Sequence, residues 1–157
     1  MRFPVRLLLL APGPLRYPFV KEGLSFYRER LRPFLDFREV FPRVRGKGSP
    51  EARLREEGEV LKRHLPQGAY VVALDERGRV LGTREFSAWL SRVFLEKREI
   101  AVVCGGPEGL YPEILERADF RLSLSPLTLN HELALLVFCE ALYRALTLLS
   151  GHPYHRE

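Results

Sequence analysis

Runs of consecutive apolar residues, separated by segments with helical spacing, constrain this chain more than any other feature. The first run, FPVRLLLLA at 3–11, lacks the alternation of a strand with one wet face. Such a strand must be covered on both sides. The pattern predicts further strands at 34–44, 69–75, 99–106 and 119–125, and helices at 18–31, 50–64, 83–97, 112–117 and 131–149. This alternation predicts an α/β fold, with a mostly parallel sheet of five to six strands and helices on both faces.

Local signals mark several of the element boundaries. Ser49 and Thr83 are residue types that cap helix N-termini, and Pro50 suits a first helical turn. Gly151 is a stop signal for the last helix. The segment ERGRVLG, at 76–82, follows the third strand and predicts a turn or a short ribbon.

The length of the chain and its cysteines limit the class of protein. A chain of 157 residues suits one compact domain, so we expect residues 1–157 to form a single domain. No stretch approaches the roughly 20 apolar residues of a membrane span, and no signal-peptide cleavage pattern follows the apolar start. Cys104 and Cys139 stand in apolar runs, which predicts two buried free thiols. We therefore expect a cytoplasmic protein without a membrane partner.

The charge of the chain indicates an anionic partner. The formal net charge is +5, and nucleic acid is the commonest partner of a small basic domain, with a solvated charged surface as the alternative. The segment RGKGS, at 45–49, lacks the first glycine and the hydroxyl residue of a phosphate-binding loop. We interpret it as part of a basic loop in which Arg43, Arg45 and Lys47 contact RNA phosphates, or otherwise as a solvated surface loop.

The last predicted helix, HELALLVFCEALYRALTLL, is apolar on nearly every side. Its polar exceptions fall on one narrow stripe, formed by Glu140, Tyr143, Arg144 and Thr147. A domain of this size cannot bury all faces of such a helix in its own core. The helix therefore predicts a homodimer, which we expect to have two-fold symmetry.

A glycine-rich turn, GGPEGL at 105–110, follows the fourth predicted strand. Ligands of open parallel sheets bind at the carboxyl ends of the strands, and glycine lets the backbone approach a ligand closely. The glycine spacing is neither that of a dinucleotide-binding fingerprint nor that of a phosphate-binding loop. The turn indicates a ligand contact, with a tight strand-to-helix connection as the alternative.

The segment LSLSPLTLNHE, at 122–132, interrupts apolar positions with serines, a proline and a threonine. Several of its backbone groups lack sheet or helix partners and need others. Either a bound polar ligand supplies these partners, or Ser123, Ser125 and Thr128 form local hydrogen bonds. The sequence leaves both alternatives open.

The chain ends in HPYHRE, directly after the last helix. His152 and His155 are three residues apart, but no cysteine or carboxylate stands at a recognised ligand spacing. We therefore expect no metal site.

Four segments together resemble a known family. GGPEGL after a strand, LSLSPLTLNHELA, ALYRAL in the last helix and the terminal HPYHRE resemble, in order and spacing, the ribosomal large subunit methyltransferase H family of the SPOUT superfamily. The resemblance covers essentially the whole chain. It implies S-adenosylmethionine-dependent N3-methylation of a pseudouridine in helix 69 of 23S ribosomal RNA, within the large subunit or the 70S ribosome. It also implies a homodimer and a C-terminal trefoil knot.

The resemblance further implies the roles of individual residues. Cofactor contacts, mostly through backbone, fall on Leu74, Gly105, Leu124, Ser125, Pro126, Leu127, Thr128 and Leu129. The catalytic candidates are His152, Tyr154, His155 and Arg156, among which the base is not assigned. Arg144 joins the candidate RNA-binding residues. The chain departs from the family pattern at Asn130, where proline is common, and at APGPLRYP, where a Gly-Lys pair usually follows the first strand.

Two other functions are consistent with parts of the sequence. A non-enzymatic RNA-binding or ribosome-associated module would use the same basic surface. A dehydrogenase-like nucleotide binder is disfavoured, because the glycine spacing differs from that of its fingerprint.

Overall fold

The computed structural model describes residues 1–156. In chain order its elements are β1 (Arg6–Leu10), α1 (Pro18–Leu31), β2 (Asp36–Val40), α2 (Pro50–His64), β3 (Tyr70–Val80), α3 (Thr83–Glu96), β4 (Glu99–Val103), α4 (Pro112–Arg117), β5 (Phe120–Ser123) and α5 (His131–Leu149). The five strands form one sheet in the order β2-β1-β4-β3-β5, and every neighbouring pair is parallel. The α/β fold is confirmed, and the knot stays a prediction.

Two apolar layers cover the sheet. Helices α1, α3 and α5 pack on one face together with Leu7 and Leu9 of β1. Helices α2 and α4 pack on the other face together with Leu8 and Leu10. Successive side chains of a strand point to opposite faces, so both sets are buried. This explains why the first apolar run is continuous.

The starts of two helices follow local rules, one of them not as predicted. The Ser49 hydroxyl accepts a hydrogen bond from the Ala52 N–H at 3.1 Å and caps α2 as expected. The prediction that Thr83 caps α3 is wrong, because Gly82 is the N-cap and Thr83 is the first helical residue. The Glu85 carboxylate accepts from the Gly82 N–H at 3.1 Å and satisfies that group instead.

The third strand is longer than predicted, while the second and fourth end earlier. Leu122 of β5 pairs with both Leu74 and Arg79 of β3, so residues 75–78 bulge out between these two positions. The segment 76–82, predicted as a turn or short ribbon, therefore contains most of this bulge and the end of β3, which pairs with β5 at 79–80. Strand β2 ends at Val40 and β4 at Val103, which frees the segments after them to form loops at the carboxyl edge of the sheet.

Helix α5 buries polar groups that the sequence pattern did not place inside. The Glu132 carboxylate is 2% exposed and accepts from the backbone N–H groups of Arg16 at 2.8 Å and Tyr17 at 3.1 Å. The Thr147 side chain is fully buried and donates to the Arg144 carbonyl at 2.7 Å. Thr147, one of the polar residues of the narrow stripe, therefore lies inside the core. Asn130 caps the helix, since its Oδ1 accepts from the N–H of Glu132 at 2.9 Å.

One side of α5 is left only partly covered by the chain itself. Leu133, Val137 and Leu148 are half-buried. Within residues 1–156, these three side chains pack against neither of the two apolar layers. We call Leu133, Val137 and Leu148 the α5 stripe.

Both cysteines are buried free thiols, as predicted. Within residues 1–156, no helix is long and apolar enough to span a bilayer.

Candidate functional site

A cleft of about 890 Å³ lies at the carboxyl ends of β3, β4 and β5. Its size is within the range of small-molecule sites, and its position is where open parallel sheets bind ligands. Except for Pro126, the residues predicted to contact the cofactor line this cleft: Leu74, Gly105, Leu124, Ser125, Leu127, Thr128 and Leu129. The fold thus brings together three chain segments that are distant in sequence.

Residues 105–109 form a tight loop, the glycine loop, on one wall of the cleft. The Gly109 N–H donates to the Gly106 carbonyl at 3.0 Å, and Gly109 has φ +84°. A Cβ on Gly105 would collide with the Gly109 carbonyl oxygen. Glycine is therefore required at 105 by the loop itself, in addition to any approach of a ligand.

The opposite wall, residues 124–129, is held by side-chain hydrogen bonds. The Ser123 hydroxyl donates to the Ser125 carbonyl at 2.9 Å, and the Ser125 hydroxyl accepts from the Leu127 N–H at 2.9 Å. These two serines therefore bond locally, which is one of the two alternatives left open above. The Thr128 hydroxyl donates instead to the Glu76 carboxylate at 2.6 Å, and so ties this wall to the bulge of β3.

Charged groups of both signs face the cleft. Asp75, Glu76 and Glu108 contribute carboxylates, and Arg77 and Arg121 contribute guanidinium groups. A ligand that carries both a positive and a negative group would find complementary charges here. No group of three or more His, Cys, Asp or Glu side chains in residues 1–156 is placed to hold a metal ion.

The thiol of Cys104 also lines the cleft but is chemically quiet. It donates to the His131 carbonyl at 3.6 Å. Burial raises the pKa of the Cys104 thiol to about 12, so the group stays protonated near neutral pH and is a poor nucleophile. Cys104 is therefore not a candidate nucleophile.

The C-terminal tail, residues 152–156, folds back onto the middle of α5 and does not line the cleft of its own chain. The Tyr154 hydroxyl donates to Glu140 Oε2 at 2.9 Å, and Arg144 Nη2 pairs with the same oxygen at 3.0 Å. Arg144 Nη1 also lies 3.1 Å from His155 Nδ1. The structure therefore brings the candidate RNA-binding Arg144 together with two of the candidate catalytic residues, while His152 and Arg156 are exposed.

Burial next to Glu140 raises the pKa of Tyr154 to about 12. The Arg144 guanidinium can only donate, so Nδ1 of His155 accepts in their contact. With its raised pKa, Tyr154 is a neutral phenol near neutral pH, and its hydroxyl is a hydrogen-bond donor and not a base.

The predicted RNA-binding loop between β2 and α2 is exposed at Arg43, Arg45 and Lys47. None of these three side chains forms an ion pair within the described part of the chain. The loop backbone is tied to α2 at one point, where the Arg45 N–H donates to Glu56 at 2.8 Å. Arg53 of α2 donates to the Gly48 carbonyl at 3.0 Å and pairs with Glu108 of the glycine loop at 2.7 Å.

Sequence reasoning missed the contribution of α2 to the cleft. Glu57 of α2 is 7% exposed and accepts from the Gly106 N–H at 3.3 Å. Burial raises the pKa of the Glu57 carboxyl. The available signal was Gly58, since a glycine inside a helix often marks close packing. A Cβ there would collide with the Tyr111 ring.

Comparison with known proteins places this fold and cleft in a class. A family model described as a predicted SPOUT methyltransferase matches residues 5–155. The class defined by the fold and the cleft is thus that of the SPOUT methyltransferases.

The curated relatives narrow this class. Proteins named ribosomal RNA large subunit methyltransferase H are 43% identical in Azotobacter vinelandii and 42% identical in Pseudomonas aeruginosa, each over 97% of this chain and 100% of the relative. That of Stenotrophomonas maltophilia is 42% identical over 94% of this chain and 97% of the relative. The chain belongs to the SPOUT methyltransferases, in the ribosomal RNA large subunit methyltransferase H family.

Two solved structures share the fold at low identity. A probable methyltransferase from Bordetella pertussis Tohama I has a TM-score of 0.58 and 20% identity, over 91% of this chain and 95% of that chain. A probable methylase family protein from Haemophilus influenzae Rd KW20 has a TM-score of 0.55 and 16% identity, over 100% of this chain and 72% of that chain. At these identities the likeness concerns the fold alone.

Proposed function

We propose that this protein methylates N3 of a pseudouridine in helix 69 of 23S ribosomal RNA, with S-adenosylmethionine as donor. The proposed substrate is the large subunit or the 70S ribosome in the cytoplasm. The observation that carries the proposal is the cleft at the carboxyl edge of the sheet, lined by the residues that family resemblance assigns to the donor. Family membership supplies the reaction class.

The cleft fits the proposed donor. S-adenosylmethionine supplies an electrophilic methyl group on a sulfonium centre. The glycine loop offers backbone on one wall, and in residues 1–156 the backbone N–H groups of Thr128 and Leu129 on the other wall form no hydrogen bond. These amides are available to adenine or ribose. Asp75, Glu76 and Glu108 suit the positive sulfonium and ammonium, and Arg77 suits the carboxylate.

The main task of the protein in such a displacement is alignment of the two reactants. The target nitrogen also carries a proton that must leave, which calls for a base or for stabilisation of the resulting anion. Tyr154, as a neutral phenol, fits the role of a donor to the target base once its hydroxyl leaves Glu140. His152 is the exposed candidate for the base, whereas His155 fits that role only after its Nδ1 releases Arg144. Arg156 and Arg144 suit phosphate or a ring anion.

In residues 1–156, the tail does not line the cleft of its own chain. His131 and Ala134, at the start of α5, line the cleft, whereas Tyr154 and His155 fold back onto Glu140 and Arg144 of the same helix. We propose that the α5 stripe packs against a second copy, whose tail completes the site.

Calorimetric titration with S-adenosylmethionine tests the cleft, and mass spectrometry of 23S RNA from a deletion strain tests the product. We expect micromolar-range donor binding and loss of one methyl group on a helix 69 pseudouridine. A protein that binds ribosomes but gives no heat with the donor would instead be the non-enzymatic RNA-binding module.

A further inference from the structure

A buried carboxylate lies directly behind the glycine loop of the cleft. Glu57 Oε1 accepts from the Gly106 N–H at 3.3 Å, and both groups are buried. The other oxygen, Oε2, occupies the place that a side chain at 106 would need, 2.6 Å from the ideal Cβ position. The carboxylate of Glu57 therefore fits here only because residue 106 is a glycine.

Glu57 belongs to a face of α2 that meets the glycine loop and the segment after it at three points. One turn before Glu57, Arg53 pairs with Glu108 at 2.7 Å. One residue after it, Gly58 lies against the Tyr111 ring so closely that no Cβ would fit. The loop is thus held by an ion pair, a buried hydrogen bond and a tight van der Waals contact.

The hydrogen bond to Glu57 is the main contact of the buried Gly106 N–H. Gly106 and Gly109 also form an isolated antiparallel bridge, but only its bond from the Gly109 N–H to the Gly106 carbonyl, at 3.0 Å, is well formed. A buried N–H without a good acceptor is strongly unfavourable. Without the carboxylate of Glu57, we expect the loop to move until water reaches this amide.

We propose that Glu57 is a positioning residue whose carboxylate holds the glycine loop in the shape that binds the methyl donor. It does not line the cleft, so it acts through Gly105 and Gly106. This inference rests on the proposed function, in which the cleft binds S-adenosylmethionine. It assigns the conformation of the donor site to α2, the helix whose Arg53 also contacts the basic loop.

Three variants separate the hydrogen bond from other effects. Glu57→Leu fills the space without an acceptor, and Glu57→Gln keeps an amide oxygen at the same position. Glu59→Ala removes an exposed carboxylate of the same helix, whose partner is Lys62. Thermal unfolding of each variant without donor checks the fold, and Glu57→Ala replaces the leucine variant if that protein does not fold.

The first measurement is hydrogen exchange of the Gly106 amide without donor, and the second is the Kd for S-adenosylmethionine. We expect Glu57→Leu to speed exchange and to weaken donor binding, each by at least about tenfold, the scale of a buried unsatisfied donor. Glu57→Gln should stay within about threefold of wild type in both measurements, and Glu59→Ala should match wild type.

Several results would overturn the inference. They are wild-type exchange of Gly106 in Glu57→Leu, faster exchange with unchanged donor affinity, or a glutamine variant as impaired as the leucine variant. A wild-type protein that binds no S-adenosylmethionine would refute the proposed function instead. The two failures are distinguishable, because exchange at Gly106 is read without donor.

Discussion

Heterodimers with one defect per chain test whether the tail acts on the partner's cleft. One chain carries Gly105→Val, in which the added side chain collides with the Gly109 carbonyl and deforms the glycine loop. The other chain lacks residues 152–157. Each parent homodimer should methylate ribosomes at no more than about 1% of the wild-type rate, the scale on which a lost acid–base or orienting group acts.

The expected recovery follows from the proposal that each tail completes the cleft of the partner chain. If each tail completes the other chain's cleft, the mixed dimer contains one intact site, made from the cleft of the truncated chain and the tail of the Gly105→Val chain. Its rate per dimer should therefore be about half that of wild type, because two-fold symmetry gives two equal sites. If the tail served its own cleft, neither site would be intact.

The assay is transfer of a radiolabelled methyl group to ribosomes that lack the modification. The mixed dimers are co-expressed with two different tags, purified on both, and checked for composition by native mass spectrometry. A second dimer, of wild-type chain with a chain that carries both defects, reverses the expectation. If the tail acts on the partner's cleft, this second dimer has no intact site. If the tail acts on the cleft of its own chain, this second dimer has one intact site. An inactive first dimer and a half-active second dimer would refute the reasoning.

Three further predictions concern the cleft, the RNA surface and the dimer. Gly105→Ala should weaken S-adenosylmethionine binding by at least about tenfold in calorimetric titration, while Gly82→Ala, whose Cβ would have no contact closer than 3.5 Å, should bind as wild type; equal affinities would remove Gly105 from the site. Neutralising Arg43, Arg45 and Lys47 of the basic loop should flatten the slope of log affinity for ribosomes against log salt, by up to about 0.7–0.9 per lost phosphate contact. The exposed Lys97 serves as the control position, and an unchanged slope would place the RNA surface elsewhere. Val137→Glu should give a folded monomer by light scattering, because it places a charge in the α5 stripe. The control Leu95→Glu, at a residue that is 86% exposed, should remain a dimer. A monomeric wild type would contradict the proposed assembly.

Local sequence signals determined which segments form strands and which form helices. The continuous apolar run of β1 required cover on both faces, and its alternate leucines do pack in opposite layers. Ser49 capped its helix because a hydroxyl at that position reaches an N–H three residues on. The segment after β5 was expected either to contact a ligand or to satisfy itself by local hydrogen bonds, because its backbone lacked regular partners, and its two serines do bond locally. Such features depend on neighbours in sequence, so they can be read without the fold.

Two features of the fold did not follow from the local sequence pattern. Thr83 was expected to cap α3, but the neighbouring Gly82 fits the extended backbone and uses Glu85 in place of its own side chain. The bulge of β3 exists because β5 pairs on both sides of it, which no pattern within 75–78 reveals.

The same limit applies to the site. Glu57 and Gly106 are 49 residues apart in sequence, and α2 alone shows a glutamate of ordinary appearance. Only the packing of α2 against the carboxyl edge of the sheet buries that carboxylate and supplies its partner. The chain composition sets which groups are available. Their pairing depends on which surfaces the sheet order brings together, and that order arises from long-range burial and not from local preference.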